Sequence, residues 1–268
     1  MPREPKDWAN QSREKKTSPL GTSIFIGLRA ADTVLQYSIL QRGWGSQLIQ
    51  TLGGSAVPFA TPRDPALAYF GLGPYPAILS ALALGSGTKH VAWILGISEQ
   101  AMTPPAALMI GTFNTVLNTL NTMFSLWTIT SAAPQMATQS ASIKDVILSS
   151  PTLMLGLGLY TVGIVTEFAS EVDRKNFKDK PENKGKAYGG GLWSWATNIN
   201  YGGYTLWRAG YAVSAAGLPW GLATGAFFFY HFATRAIPSL DKYCTDKYGE
   251  QWTDIKKRVP YKLLPFIY

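Results

Sequence analysis

The sequence predicts an all-α, polytopic integral membrane helical bundle with about six to seven transmembrane helices, on three observations. Charge is scarce: apolar residues make up 46% and charged residues 15% of the 268 residues, against about 25% charged in an average soluble domain. The charge is also segregated. No Asp, Glu, Lys or Arg occurs over residues 100–143 or 209–234, and each run exceeds the roughly 20 residues that a spanning helix needs. Finally, residues 243–268 combine Lys256, Lys257, Arg258 and Lys262 with Tyr243, Tyr248, Trp252, Tyr261, Phe266 and Tyr268, the chemistry of a segment lying at the water–lipid boundary. The mean hydropathy of +0.02 does not decide the class; the distribution of charge does.

Residues 1–19 read as a polar arm. Residues 20–41 are moderately apolar but carry Arg29 and Asp32, so they either lie along the interface or form an imperfect span. Residues 43–65, rich in Gly, Pro, Ser and Thr, read as a loop. Residues 66–84 form the first clear span despite Gly71, Gly73, Pro74 and Pro76, which bundled membrane helices tolerate. Residues 90–102, with Glu99, are a weak second span or a re-entrant piece. Residues 105–129 make a better span, and Asn114, Asn118 and Asn121 recur on it at helical spacing. That stripe is expected to face other helices, where amides hydrogen-bond across the interface. Residues 146–166 give a further span, 171–186 a soluble charge-dense loop, and 192–217 with 218–237 a helical hairpin broken near Gly217-Leu218-Pro219. The regions are then a polar arm (1–19), an N-terminal transmembrane region (20–165) and a C-terminal region (166–268) with loop, hairpin and tail. Six spans put both termini and the 171–186 loop on the cytoplasmic side.

The net charge of +8 is concentrated in 1–19, 171–186 and the tail. These flank apolar runs, so the positive-inside rule accounts for them and a nucleic-acid surface is not expected. A single cysteine, Cys244, rules out an internal disulfide framework, and with only two histidines no metal site is expected. The N-terminus has no apolar h-region, so a cleaved signal peptide is not expected.

Chemistry is expected around the last hairpin. Asn200, Tyr201, Tyr204 and Arg208 share one broad helical face, and His231 and Arg235, four apart, share another. With Arg174, Lys175 and Lys178 they suggest a cationic, aromatic pocket suited to a phosphate-bearing ligand. The plainer reading is that Arg208 and Arg235 snorkel to headgroups, that Trp193, Trp195, Tyr201 and Tyr204 belong to an interfacial belt, and that Glu167 and Glu171 mark a helix emerging into water.

The stretch Gly190-Gly191-Leu192-Trp193-Ser194-Trp195-Ala196-Thr197-Asn198-Ile199-Asn200-Tyr201-Gly202-Gly203-Tyr204, the hairpin after it, and the ending Lys247-Tyr248-Gly249, Trp252, Val259-Pro260-Tyr261 and Pro265-Phe266-Ile267-Tyr268 together resemble the C-terminal domain of the steroid 5-alpha-reductase family. The ending looks especially like sterol C14- and C7-reductases, in a divergent, fungal-type version. The resemblance covers residues 166–268. It implies an endoplasmic-reticulum membrane enzyme that binds NADPH and reduces a carbon–carbon double bond of a steroid, sterol or other lipid. By position it implies cofactor contacts from Trp193, Asn200, Arg235 and Tyr243 and, more loosely, Arg174 and Lys178; Tyr201 joins them from the shared helical face, and Tyr204 and Glu167 are the candidate catalytic proton donors. Many members carry Arg-His-Pro where this chain has Thr197-Asn198-Ile199, and several have Glu where it has Tyr204. Two alternatives therefore stand beside reduction: a catalytically degenerate member that binds a lipid or a partner, and a methyltransferase using S-adenosylmethionine, because the isoprenylcysteine carboxyl methyltransferases share a similar C-terminal hairpin.

Overall fold

A computed structural model describes residues 16–62, 64–139 and 142–268; most of the expected polar arm lies outside the described residues. These residues fold into helices joined by turns, and no strand occurs among them beyond an isolated bridge pairing Ala56 with Trp127. The all-α class expected from the charge pattern is what the chain adopts. Two compact units follow each other, Met1–Pro151 and Thr152–Tyr268.

In the first unit α1 (Pro19–Gln41) packs against both α4 (Pro74–Gly96) and α5 (Pro104–Leu126). The two charges that made α1 doubtful as a span lie inside this trio, where Arg29 is 0% and Asp32 1% exposed. Asp32 accepts hydrogen bonds from Arg29 (2.9 Å), Gln36 (2.8 Å) and Asn118 (2.7 Å). Gln36 also donates to Thr119 (3.0 Å) and accepts from Thr122 (2.7 Å), and Arg29 reaches Ser86 on α4 at 3.4 Å. One carboxylate thus gathers side chains from α1 and α5, while Arg29 extends the network to α4. The expected Asn stripe faces inward, with Asn114, Asn118 and Asn121 all buried.

Around this trio the chain departs from the sequence reading at its punctuation. The expected loop over 43–65 contains α2 (Trp44–Thr51), which buries Ile49 and leaves Trp44 and Leu48 exposed. The expected span over 66–84 is instead α3 (Pro65–Phe70), capped by Asp64 Oδ1 accepting from Ala66 N–H (2.8 Å), followed by a break and then α4. Gly71 (φ 63°) closes α3 in the left-handed region, and Gly73-Pro74 opens α4 as cap and first residue. The apolar run therefore continues to Gly96 and absorbs the start of the piece expected at 90–102. Likewise α6 (Ile143–Leu148) is separate from the long helix after it. Its capping box joins Ser142 and Asp145, whose side chains meet at 2.8 Å. The Ser142 hydroxyl, and then its backbone N–H, hold the Asp145 carboxyl below its usual range.

The second unit is built on α7 (Pro151–Asp179) and α8 (Ile199–His231). At Ala216 (φ −140°, ψ 23°) and Gly217 (φ 75°, ψ −173°) the backbone of α8 is non-helical, with Pro219 just beyond. Contacts across this break pair residues whose numbers sum to nearly the same value. A side chain at Gly221 would meet Val213, one at Gly225 would meet Ala209, and the Tyr204 and Tyr201 rings meet Phe228 and Phe232. That pairing is the signature of an antiparallel hairpin, as the Gly-Leu-Pro break predicts. A π-helical stretch, Phe232–Ala236, leads into α9 (Ile237–Tyr248), and α10 (Glu250–Arg258) follows.

The first arm of α8 runs antiparallel to α7 at backbone contact. Added Cβ atoms would fall 2.9 Å from the Gly210 carbonyl oxygen at Gly156, 2.6 Å from the Gly203 oxygen at Gly163, 2.7 Å from the Gly163 oxygen at Gly203, and 2.6 Å from the Gly156 oxygen at Gly210. Glycines seven apart on each helix thus face each other, the small-residue packing of membrane helices. Among the described residues three helical stretches are long and apolar enough to cross a membrane: Pro74–Gly96, Pro151–Asp179 and Ile199–Tyr248, the last containing the hairpin.

Two substitution experiments follow. Asp32→Ala removes the hub of the first unit's network and leaves Arg29 without its carboxylate, so denaturant unfolding in detergent should show a loss of about 3–5 kcal/mol. Gly163→Ala should destabilise by about 1–3 kcal/mol through overpacking. Gly158→Ala, whose added methyl meets nothing within 4 Å, should instead leave stability unchanged or raise it by up to about 1 kcal/mol.

Candidate functional site

The glycine contact carries α7 and α8 close enough for their polar residues to meet. Glu167 and Glu171 are one helical turn apart on α7 and face Trp207 and Asn200 on α8. Trp207 Nε1 donates to Glu167 Oε2 at 2.6 Å, and Asn200 Nδ2 donates to Glu171 Oε1 at 2.5 Å. The other Glu171 oxygen pairs with Arg174 (2.5 Å), whose guanidinium lies 4.8 Å from the Trp193 ring. Trp193 in turn donates its indole N–H to the Ser170 carbonyl at 2.8 Å. Glu167 is 8% and Glu171 6% exposed, so they are not a helix end emerging into water. Helix α7 continues to Asp179, and the expected soluble loop starts only beyond it.

Arg208 does not snorkel. It is 2% exposed, donates to Tyr204 Oη through Nε (3.1 Å) and Nη2 (2.9 Å), and lies over the Trp207 ring at 4.2 Å. Tyr204 packs edge-on to Trp207, Phe228 and Phe232, while Tyr201 stacks on Phe232 at 4.5 Å. Of the belt candidates only Trp195 is exposed; Trp193 is buried.

The structure therefore brings Glu167, Arg174 and Asn200 together between α7 and α8, with Trp193 from the turn before α8 beside Arg174 and Tyr204 reached through Trp207, while Tyr201 packs on the second arm of the hairpin. Lys178 lies further along α7, where it donates to the Lys186 carbonyl and to Tyr248 Oη (3.0 Å). Arg235 is exposed in the π-helical stretch, and Tyr243, on α9, accepts from Lys247 at 2.9 Å. The expected cationic pocket is not formed by the loop bases: Arg174 is paired with Glu171, Lys175 with Asp179 (2.9 Å), and Lys178 is engaged as described. Tyr188, in the loop, has its phenol pushed up by burial and then by the neighbouring Asp173 carboxylate.

Sequence reasoning missed the roles of Glu171 and Trp207. A four-residue spacing of carboxylates signals a shared helical face, but nothing in the chain identifies the indole that would meet one of them. Asn200 has a further property: it is 7% exposed, and its Oδ1 is buried with no hydrogen-bond partner. Such an atom in a well-packed cluster is a position for a ligand donor. On the other side of the Thr197–Asn198 turn a pocket of about 270 Å³ is lined by Thr197, Asn198, Ile237, Asp241, Trp252 and Lys262, among others. No group of three or more metal-ligating side chains occurs among the described residues.

Residues 109–259, more than half of the sequence, match the family model described as protein of unknown function (DUF1295). The chain belongs to the DUF1295 family. This DUF1295 chain is 38% identical to a probable O-methyltransferase of Ustilaginoidea virens over 236 residues, covering 87% of this chain and 81% of that protein. It is also 34% identical to the Delta(14)-sterol reductase of Candida albicans over 87 residues, covering 29% of this chain and 17% of the reductase. The reductase match agrees with the resemblance carried by the sequence motifs, while the longer match points to the alternative that the same motifs left open.

Trp207→Phe keeps an aromatic side chain but removes the N–H that meets buried Glu167. Losing that hydrogen bond to a buried carboxylate should cost about 1–3 kcal/mol, read as a lower unfolding midpoint in detergent.

Proposed function

We propose that the chain is a membrane-embedded O-methyltransferase that uses S-adenosylmethionine on a lipophilic, hydroxyl-bearing substrate. The carrying observation is the partnerless Asn200 Oδ1 beside the buried Glu171 and Glu167 carboxylates. Every one of these atoms accepts hydrogen bonds, so the cluster selects donors and positive charge. S-adenosylmethionine presents an ammonium, ribose hydroxyls and a sulfonium; NADPH presents a 2′-phosphate and a diphosphate. The nearby bases that a phosphate would need, Arg174 and Lys178, are already engaged by Glu171, the Lys186 carbonyl and Tyr248. Similarity over most of the chain to a probable O-methyltransferase supports the same reading.

When bound, the cofactor supplies an electrophilic methyl group. Asn200 and Glu171 would hold the cofactor's donor groups, while the Trp207 and Tyr204 rings carry the Arg208 guanidinium and so fix the wall beside them. The Trp207 indole fixes the orientation of Glu167, which takes up the proton of the substrate hydroxyl. An apolar bundle lets a lipid-soluble substrate enter from the bilayer.

NADPH-dependent reduction of a carbon–carbon double bond of a steroid, sterol or other lipid is the second reading, favoured by the shorter match to a sterol reductase. Tyr204 is then the proton donor: its oxygen accepts from both Arg208 N–H groups, which leaves the phenol O–H as the donating side. Under either reading the site sits at the cytoplasmic rim of the endoplasmic-reticulum membrane.

Thermal unfolding of the purified full chain in detergent decides between them, because a ligand that binds the folded state raises the midpoint by mass action. S-adenosylhomocysteine should raise it and NADPH should not. Asn200→Leu should weaken that binding about ten- to a hundred-fold. A shift with NADPH alone transfers the conclusion to reduction, and no shift with either leaves a lipid- or partner-binding scaffold.

A further inference from the structure

The segment after α10 is held in a tight knot. The backbone N–H groups of Lys262 (2.8 Å), Leu263 (2.8 Å) and Leu264 (3.3 Å) all donate to the Tyr268 carbonyl oxygen, and Ile267 (3.1 Å) and Tyr268 (3.0 Å) donate back to the Leu264 carbonyl. Leu264-Pro265-Phe266-Ile267 is thus a hydrogen-bonded turn with Pro at its second position. Phe266, at the third, has φ 67°, the conformation that such a turn normally gives to Gly. Among the described residues Phe266 is the one non-glycine residue with positive φ.

The strained residue is not drawn into the core: the Phe266 ring touches the Tyr261 ring at 5.4 Å and otherwise faces outward. Phe266 is 85% and Ile267 74% exposed, while Leu263 just before them is fully buried. A rigid turn therefore holds two large apolar side chains outward. Exposed Arg258 and Lys262 flank them, and no acidic residue occurs over residues 255–268. The turn is tied to the rest of the unit by Thr197 N–H to Tyr261 O and Asn198 N–H to Lys262 O, both 2.9 Å. Just before that ladder stands exposed Trp195, a side chain suited to the headgroup layer.

We infer that residues 261–268 form a bilayer anchor: Phe266 and Ile267 enter the interfacial layer of a membrane bearing anionic lipid, and Arg258 and Lys262 meet its headgroups. Apolar insertion and basic charge act together at such surfaces. The anchor holds the turn that leads into Asn200, because Asn198 is bonded to Lys262 and Gly202 lies against the Leu263 carbonyl.

The test needs no cofactor, so its failure is separate from failure of the methyltransferase reading. The full chain carrying Cys244→Ser and Phe266→Cys is labelled at position 266 with an environment-sensitive fluorophore and placed in nanodiscs of neutral lipid, with or without anionic lipid. Lipids spin-labelled near the headgroup should quench the label, about twofold more strongly with anionic lipid, and salt should reduce the difference. Quenching by aqueous iodide but not by the lipid labels overturns the inference, as does quenching indifferent to lipid charge. Labelling the exposed α10 position Lys257→Cys in the Cys244→Ser background checks folding and access: that label should remain open to iodide, and its burial at equal depth would also overturn a turn-specific anchor.

Discussion

The backbone contact between α7 and the first arm of α8 governs everything in the C-terminal unit. Without side chains at Gly156, Gly163, Gly203 and Gly210, each helix presents bare peptide groups to the other. Only at that separation do a glutamate and an indole, or a glutamate and a short amide, bridge directly at 2.5–2.6 Å. In hydrocarbon the hydrophobic effect gives helices no reason to pair, so close packing and interhelical hydrogen bonds must do so. Here the same helix faces supply both. The cost of burying Glu167 and Glu171 is offset by N–H donors and by Arg174, and Asn200 Oδ1 is left as a buried acceptor beside them.

The N-terminal unit solves the same problem by other means. Its three long helices are joined through a single buried carboxylate, Asp32, which receives donors from its own helix and from α5, while Arg29 touches α4. Charges inside membrane helices are costly unless paired. The i,i+3 spacing of Arg29 and Asp32 neutralises the pair within one helix before the helix meets its neighbours. This arrangement specifies partners and register, since sliding α1 by a turn would break the Asn118–Asp32 and Thr122–Gln36 bonds together.

Much of this was legible in the sequence and some was not, for identifiable reasons. The Asn114, Asn118 and Asn121 stripe, the Gly217-Leu218-Pro219 reversal and the location of polar residues near Asn200 follow from period and turn chemistry. The segment carrying Arg29 and Asp32 was ambiguous because hydropathy counts each charge as a penalty and cannot register that the two cancel. The boundaries near Gly71 and Gly73 were lost because membrane helices tolerate glycine and proline, so the same residues signal either a kink or a stop. The partner of Arg174 is not legible because a carboxylate at the end of an apolar run reads as solvent-facing; helix α7 continues past Glu171 and pairs the two. The pairing of Glu167 with Trp207 depends on tertiary approach alone, and a separation of 40 positions carries no sign of it.

The π-helical stretch Phe232–Ala236 changes how the sequence after it must be read. A wider turn accommodates an additional residue per coil, so every later position is displaced in angle from where an unbroken α-helix would carry it. An ancestral one-residue insertion there would have swung α9 and its cargo of charged side chains by about 100° while leaving the hairpin below untouched. Such a step offers a way to re-aim one rim of a membrane protein without disturbing the packing that keeps it folded.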